Sequence, residues 1–168
     1  MSTQPEPWLR GPIAGVHPLA APLLFSLQQA REDLAKWTEE FSDGDFWKRP
    51  APGVAPVGFQ IRHIAGSVER LLTYLKGEQL SDEQLSEMKR EQEPGATREE
   101  LFKALENSFL LAEAVVKAID PRTWQDARAV GRKQLPTTVG GLITHIAEHT
   151  QRHVGEAIIT AKLVRLMR

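Results

Sequence analysis

The sequence predicts an all-α protein, a four-helix bundle with a long connection before its last helix. Apolar residues recur at helical spacing in four long stretches, and no stretch shows the sustained alternation of a strand. Clusters of proline and glycine separate those stretches. Amphipathic helices without a sheet can bury their apolar faces only against one another, which makes a bundle. At 168 residues the chain is read as one domain, residues 1–168, with residues 1–16 as an extended lead-in.

Proline is tolerated in the opening turn of a helix, so the first helix begins near Pro18 or Pro22. Its seam runs through Leu23, Leu27, Ala30, Leu34, Trp37 and Phe41, and Ser42-Asp43-Gly44 ends it. Residues 48–58 hold three prolines and two glycines and form an irregular link. The second helix runs from about Gly58 to Lys76, buries Ile61, Ile64, Val68 and Leu72, and ends at Gly77. Ser81–Gln84 is a capping box that opens a short polar helix ending before Pro94-Gly95. A second box, Thr97–Glu100, opens the third long helix, which runs to Asp120-Pro121. Residues 120–136 read as a loop with a short extended piece near Ala127–Val130. Thr137 or Thr138 caps the last helix, which continues to about Leu166.

Composition narrows the function. A formal net charge of −1 gives no electrostatic basis for nucleic-acid binding, and no apolar run reaches the roughly 20 residues of a membrane span. The chain has no cysteine, which excludes disulfides, thiolate nucleophiles and Cys-based zinc sites. Met1–Arg10 shows no secretory h-region, so a cytoplasmic location is expected.

Histidine carries the chemical signal. Of the five, His145, His149 and His153 recur at i, i+4 and i+8 on the last helix, and imidazoles four residues apart can share one metal ion. Measured from the apolar stripe of that helix, His153 lies about 70° away, His149 about 110° and His145 about 150°. His149 and His153 therefore border the core, while His145 faces solvent. His63, on the second helix, shares a second stripe with Phe59, Gly66, Ser67, Arg70 and Tyr74 that implies a pocket or contact surface. Spacing alone leaves His63 equally a ligand or an ordinary helical histidine. His17 reads as a surface or capping residue. His145–His149 also matches the inverted zincin pattern H-x-x-E-H, with Glu148 as the base, but that reading needs His145 turned inward.

The strings Thr137–Glu156, Ile61–Leu72 and Asp45–Pro50 resemble the DinB/YfiT-like superfamily, from His17 to about Lys162. The resemblance implies an up-up-down-down bundle with a metal site near one end. It implies His63, His149 and His153 as ligands of a divalent metal ion, zinc or nickel foremost. Glu156 stands where that family usually has glutamine. Relatives of this kind include thiol transferases and metal-dependent hydrolases, so the resemblance implies an enzyme with a small-molecule substrate, and for transfer a low-molecular-weight thiol. The alternative is a non-enzymatic metal-binding or stress-response bundle. A homodimer is expected, for which the stripe of Phe59, Gly66 and Tyr74 is the candidate interface. Arg70, Tyr74 and Glu148 are weighed as substrate contacts and set aside as surface residues.

Overall fold

The computed structural model describes residues 4–167. Helix α1 spans Ala21–Trp37, α2 Val57–Leu75, α3 Asp82–Arg90, α4 Arg98–Ala118 and α5 Val139–Arg165. Between α4 and α5 lies a two-stranded ribbon, β1 Ala127–Val130 and β2 Leu135–Thr138. None of these helices is long and apolar enough to cross a membrane. Of the predicted lead-in, residues 1–3 lie outside the described residues. The rest is not simply extended: Pro7–Leu9 makes a 3-10 turn, and Arg10 pairs with Glu32 of α1.

Local chemistry sets the helix starts. Ser81 and Thr97 each complete a capping box, and the Thr138 side chain accepts from the Gly141 amide. Each such cap stabilises its helix by about 1 kcal/mol. Pro22 lies in the first turn of α1, and Gly77, at φ 85°, follows α2. His17 is exposed, the surface reading of the two expected: its Nδ1 accepts from the Leu19 amide in the turn before α1, whose N-cap receives no side-chain bond. Helix α1 stops earlier than its seam predicts. Buried Thr38 turns its hydroxyl onto Leu34 O, the backbone leaves helical geometry there, and Phe41 returns to the core edge-on against Phe46.

Contacts between elements fix their directions. Ser26 Oγ donates to Ala147 O and Arg165 to Trp37 O, so α1 and α5 are parallel. Gln60 donates to Glu156 while Thr160 donates to Ala55 O, so α2 runs against α5. Arg98 of α4 reaches Thr38, and Arg31 of α1 pairs with Glu106 and Glu113, so α4 runs against α1. The order is therefore up-down-down-up, which corrects the up-up-down-down order the resemblance implied. The reason is the α3 segment. It climbs back along α2, from the Gln84–Thr73 bond to the bonds of Arg62 with Arg90 O and Glu93 O. The chain thus enters α4 at the end where α2 began.

Helix α5 packs between α1 and α2, and α2 between α5 and α4. Leu27, Ile61, Leu105 and Ile146 meet in one core, each at most 2% exposed. Burying an aliphatic side chain of that size contributes about 1.5–3 kcal/mol. The extended piece expected at Ala127–Val130 is a strand, and part of the connection read as loop supplies its partner: it pairs antiparallel with Leu135–Thr138, Ala129 opposite Pro136. Proline argues against a central strand, but a two-stranded ribbon has only edges, where a missing N–H is tolerated. Arg128 Nε donates to Leu75 O and so closes the end of α2. The Trp124 indole lies against Gly140, where a Cβ would collide with Nε1, and this seats the first turn of α5.

Candidate metal centre

Helix α5 sets its histidines along one edge, as the wheel predicts: His149 and His153 are half-buried and His145 is exposed. Antiparallel α2 brings His63 opposite them. Ring centroids lie 4.4 Å apart for His63 and His153, 4.5 Å for His149 and His153, and 5.3 Å for His63 and His149. One ligand nitrogen from each ring lies within 4.8 Å of the other two. The Nε2 atoms of His63 and His149 are 3.2 Å apart. Phe59 stacks on His63 at 5.3 Å and covers one face of the ring.

The outer nitrogens explain why the inner ones converge. His63 Nδ1 is 2.6 Å from Glu91 Oε2, and His153 Nδ1 is 2.7 Å from Gln60 Oε1. Gln60 in turn donates through Nε2 to Glu156 at 2.8 Å, which fixes its oxygen toward His153. Carboxylate and amide oxygens only accept, so both Nδ1 atoms carry the proton and both Nε2 atoms keep a lone pair. His149 Nδ1 is buried with no hydrogen-bond partner among the described residues. The donor set fits a divalent ion: two nitrogens bound tetrahedrally at 2.0–2.1 Å stand about 3.3 Å apart, close to the observed 3.2 Å.

Burial and neighbouring rings favour the neutral forms of His149 and His153. His149 is held down to about 4, first by burial and then by the neighbouring His153 and His63. His153 is also lowered, again first by burial and then by His63. Imidazole binds a cation only when unprotonated, so at neutral pH both rings have lone pairs to offer.

The inverted zincin reading finds no support in this geometry. His145 Nδ1 bonds Glu148 at 2.6 Å on the surface, and Arg152 holds the other carboxylate oxygen at 2.6 Å. The second stripe of α2 is consumed within the chain, which corrects its assignment as a dimer interface. Tyr74 is buried, Phe59 lies on His63, and Gly66 is covered by Glu91 and Arg70. Arg70, set aside as a surface residue, is buried in an ion pair with Glu91. Sequence reasoning missed Glu91 and Gln60. Glu91 follows a short, mostly polar helix that buries none of its residues, so nothing nearby marks its burial. Gln60 stands three residues before His63, on the same face of α2, and that spacing was the available signal.

The sequence profile of the DinB superfamily matches residues 26–157. Among solved structures, a conserved protein from Enterococcus faecalis superposes with a TM-score of 0.72 at 16% identity, over 86% of this chain and 96% of its own. YfiT from Bacillus subtilis, described as a probable metal-dependent hydrolase with an unusual four-helix bundle topology, superposes with a TM-score of 0.66 at 16% identity. That match covers 94% of this chain and 93% of YfiT. Likeness at this identity establishes a shared fold. No curated protein sequence matches the chain.

Proposed function

The chain belongs to the DinB superfamily, and from that premise we propose that His63, His149 and His153 hold one divalent metal ion in a metal-dependent enzyme for a small-molecule substrate. Zinc and nickel both suit three imidazoles. The observation that carries this reading is the 3.2 Å between two Nε2 atoms of separate helices, with the outer nitrogens of His63 and His153 held by Glu91 and Gln60. Three protein ligands leave a position open, the pattern of catalytic rather than structural sites. When bound, the ion supplies Lewis acidity that lowers the pKa of a water or thiol toward neutrality.

The chain's own residues supply order and shielding. Glu91 and Gln60 fix two ring orientations, and Phe59 keeps water from one face of His63. Hydrolysis is the first reaction to test because it needs only water, in keeping with the description of YfiT. Thiol transfer needs a low-molecular-weight thiol, since the chain contains no cysteine. Exposed Ile159, Leu163 and Leu166 form a stripe at i, i+4 and i+7 that supports a homodimer through the end of α5, which light scattering tests.

Elemental analysis of zinc- and nickel-loaded protein, with turnover measured on a panel of esters and amides and on electrophiles with small thiols, tests the function. The expected result is one ion per chain and turnover that is lost in His149→Ala. Metal retained without turnover on any of these substrates selects the non-enzymatic bundle. No uptake above a variant lacking all three histidines overturns the metal centre.

A further inference from the structure

Helix α3 is held to the bundle in an unusual way. None of its residues is buried. A cleft of about 240 Å³ lies between it and α2, lined by Gly66, Glu69, Arg70, Glu83, Gln84 and Glu87. Apolar packing therefore does not dock this helix. The residue that follows it, Glu91, is only 4% exposed.

A carboxylate enters a protein interior only with partners, because desolvating an unpaired charge is strongly unfavourable. Glu91 has two. Its Oε1 accepts from Arg70 Nη1 at 2.6 Å, and its Oε2 bonds His63 Nδ1 at 2.6 Å. Arg70 is itself 8% exposed. The pair passes directly over Gly66: a Cβ there would stand 2.5 Å from Glu91 Oε1 and 2.7 Å from Arg70 Nη1. Glycine weakens a helix interior relative to alanine, so its presence in the middle of α2 answers to this close approach. On either side of Glu91, Arg62 holds the backbone through Arg90 O and Glu93 O.

We propose that Glu91 is a positioning residue of the metal centre, and that its bond to His63 also docks residues 82–96 onto α2. Metal loading and docking of this segment then reinforce each other. The inference rests on the three-histidine metal centre proposed above. A cation on His63 Nε2 withdraws electron density from the ring and makes Nδ1–H a better donor to the carboxylate. Docked Glu91 in turn holds the ring with Nε2 toward His149. Coupling of this kind is reciprocal: whatever favour the ion gives to the docked segment, the docked segment returns to the ion.

The test uses the full chain with three readouts: zinc affinity by competition with a chromophoric chelator, the visible spectrum of the cobalt(II)-loaded protein, and amide exchange with and without zinc. Circular dichroism checks that each variant is folded. Zinc should slow exchange across residues 82–96 in the parent protein. Glu91→Ala should weaken zinc binding by about 10–100-fold, change the cobalt spectrum and abolish that zinc-dependent slowing. Glu91→Gln keeps an acceptor oxygen for His63 Nδ1 and should recover part of the affinity. Gly66→Ala favours the helix intrinsically, yet should lower zinc affinity by displacing Glu91. Zinc affinity in Glu91→Ala within twofold of the parent, or exchange of residues 82–96 indifferent to zinc, overturns the proposal and leaves the metal centre standing. A parent protein that takes up no metal overturns both.

Discussion

Helix α5 presents two faces that do different work. Toward α1 it sets Ile146 and Val154 into the core and accepts from Ser26 through the Ala147 carbonyl. Toward α2 it presents His149 and His153, met by His63 and Gln60. The first face is held by apolar burial and by side-chain bonds to backbone carbonyls, so lost volume there lowers stability. The second gives part of its surface to polar rings whose lone pairs point at one another, an arrangement that contributes little to folding and suits a cation. One helix thus carries both core packing and the proposed metal ligands, separated by a turn of roughly 100° between successive residues.

That division can be broken first with a pair of substitutions. Ile146→Ala, at a position 0% exposed, should destabilise the fold by about 2–5 kcal/mol while the folded fraction keeps its metal affinity. His149→Ala should do the reverse. It removes a proposed ligand, so zinc affinity should fall by more than the roughly 10–100-fold typical of an outer-shell partner, with the helical spectrum retained. If either substitution moved both quantities equally, the two faces would not be separable. Chemical denaturation and chelator competition on the same samples decide this.

A smaller effect is set by pH. Folded His149 titrates near 4, below its ordinary 6.5. Between those values the unfolded chain binds a proton that the folded chain does not, so stability falls as pH drops. Metal-stripped protein should be fully stable in this respect above about 6.5, lose stability down to about 4, and lose no more from this group below that. The stability of the parent relative to His149→Ala, from urea midpoints, should fall as pH drops from about 6.5 to about 4. A difference that stays constant over that range would show that burial does not depress this ring.

The smallest expected change lies on the α1 side. Ser26→Ala deletes the part-buried bond to Ala147 O and should lower stability by about 1 kcal/mol without touching metal uptake. A change in zinc affinity there would mean that the α1 contact helps place the histidine edge.

Much of this was legible in the residues. Ile143, Ile146, Val154 and Ala161 mark the inward stripe of α5 by period alone, and the angles from that stripe separate His149 and His153 from His145. Ser81 and Thr97 announced their helix starts because capping is local chemistry. What escaped was decided by tertiary contacts. Pro136 spoke against a strand, yet the ribbon forms because both of its strands are edges. Thr38 ends α1 through a hydroxyl bond that no apolar pattern records. Glu91 is buried by Arg70 and His63, partners distant in the chain, so its burial leaves no mark in the hydropathy around it. The direction of α4 depended on the path of a helix that buries nothing.

The parallel pairing of α1 with α5 bears on how the chain reaches its fold. The first long helix finds its main partner in the last, so Leu23, Leu27 and Leu34 wait for residues near the opposite end of the sequence. During synthesis the part of that seam that packs on α5 stays uncovered until α5 emerges. High contact order of this kind slows folding relative to bundles built from neighbouring hairpins. It also makes the nascent amino-terminal half the species most prone to aggregate or to engage a chaperone.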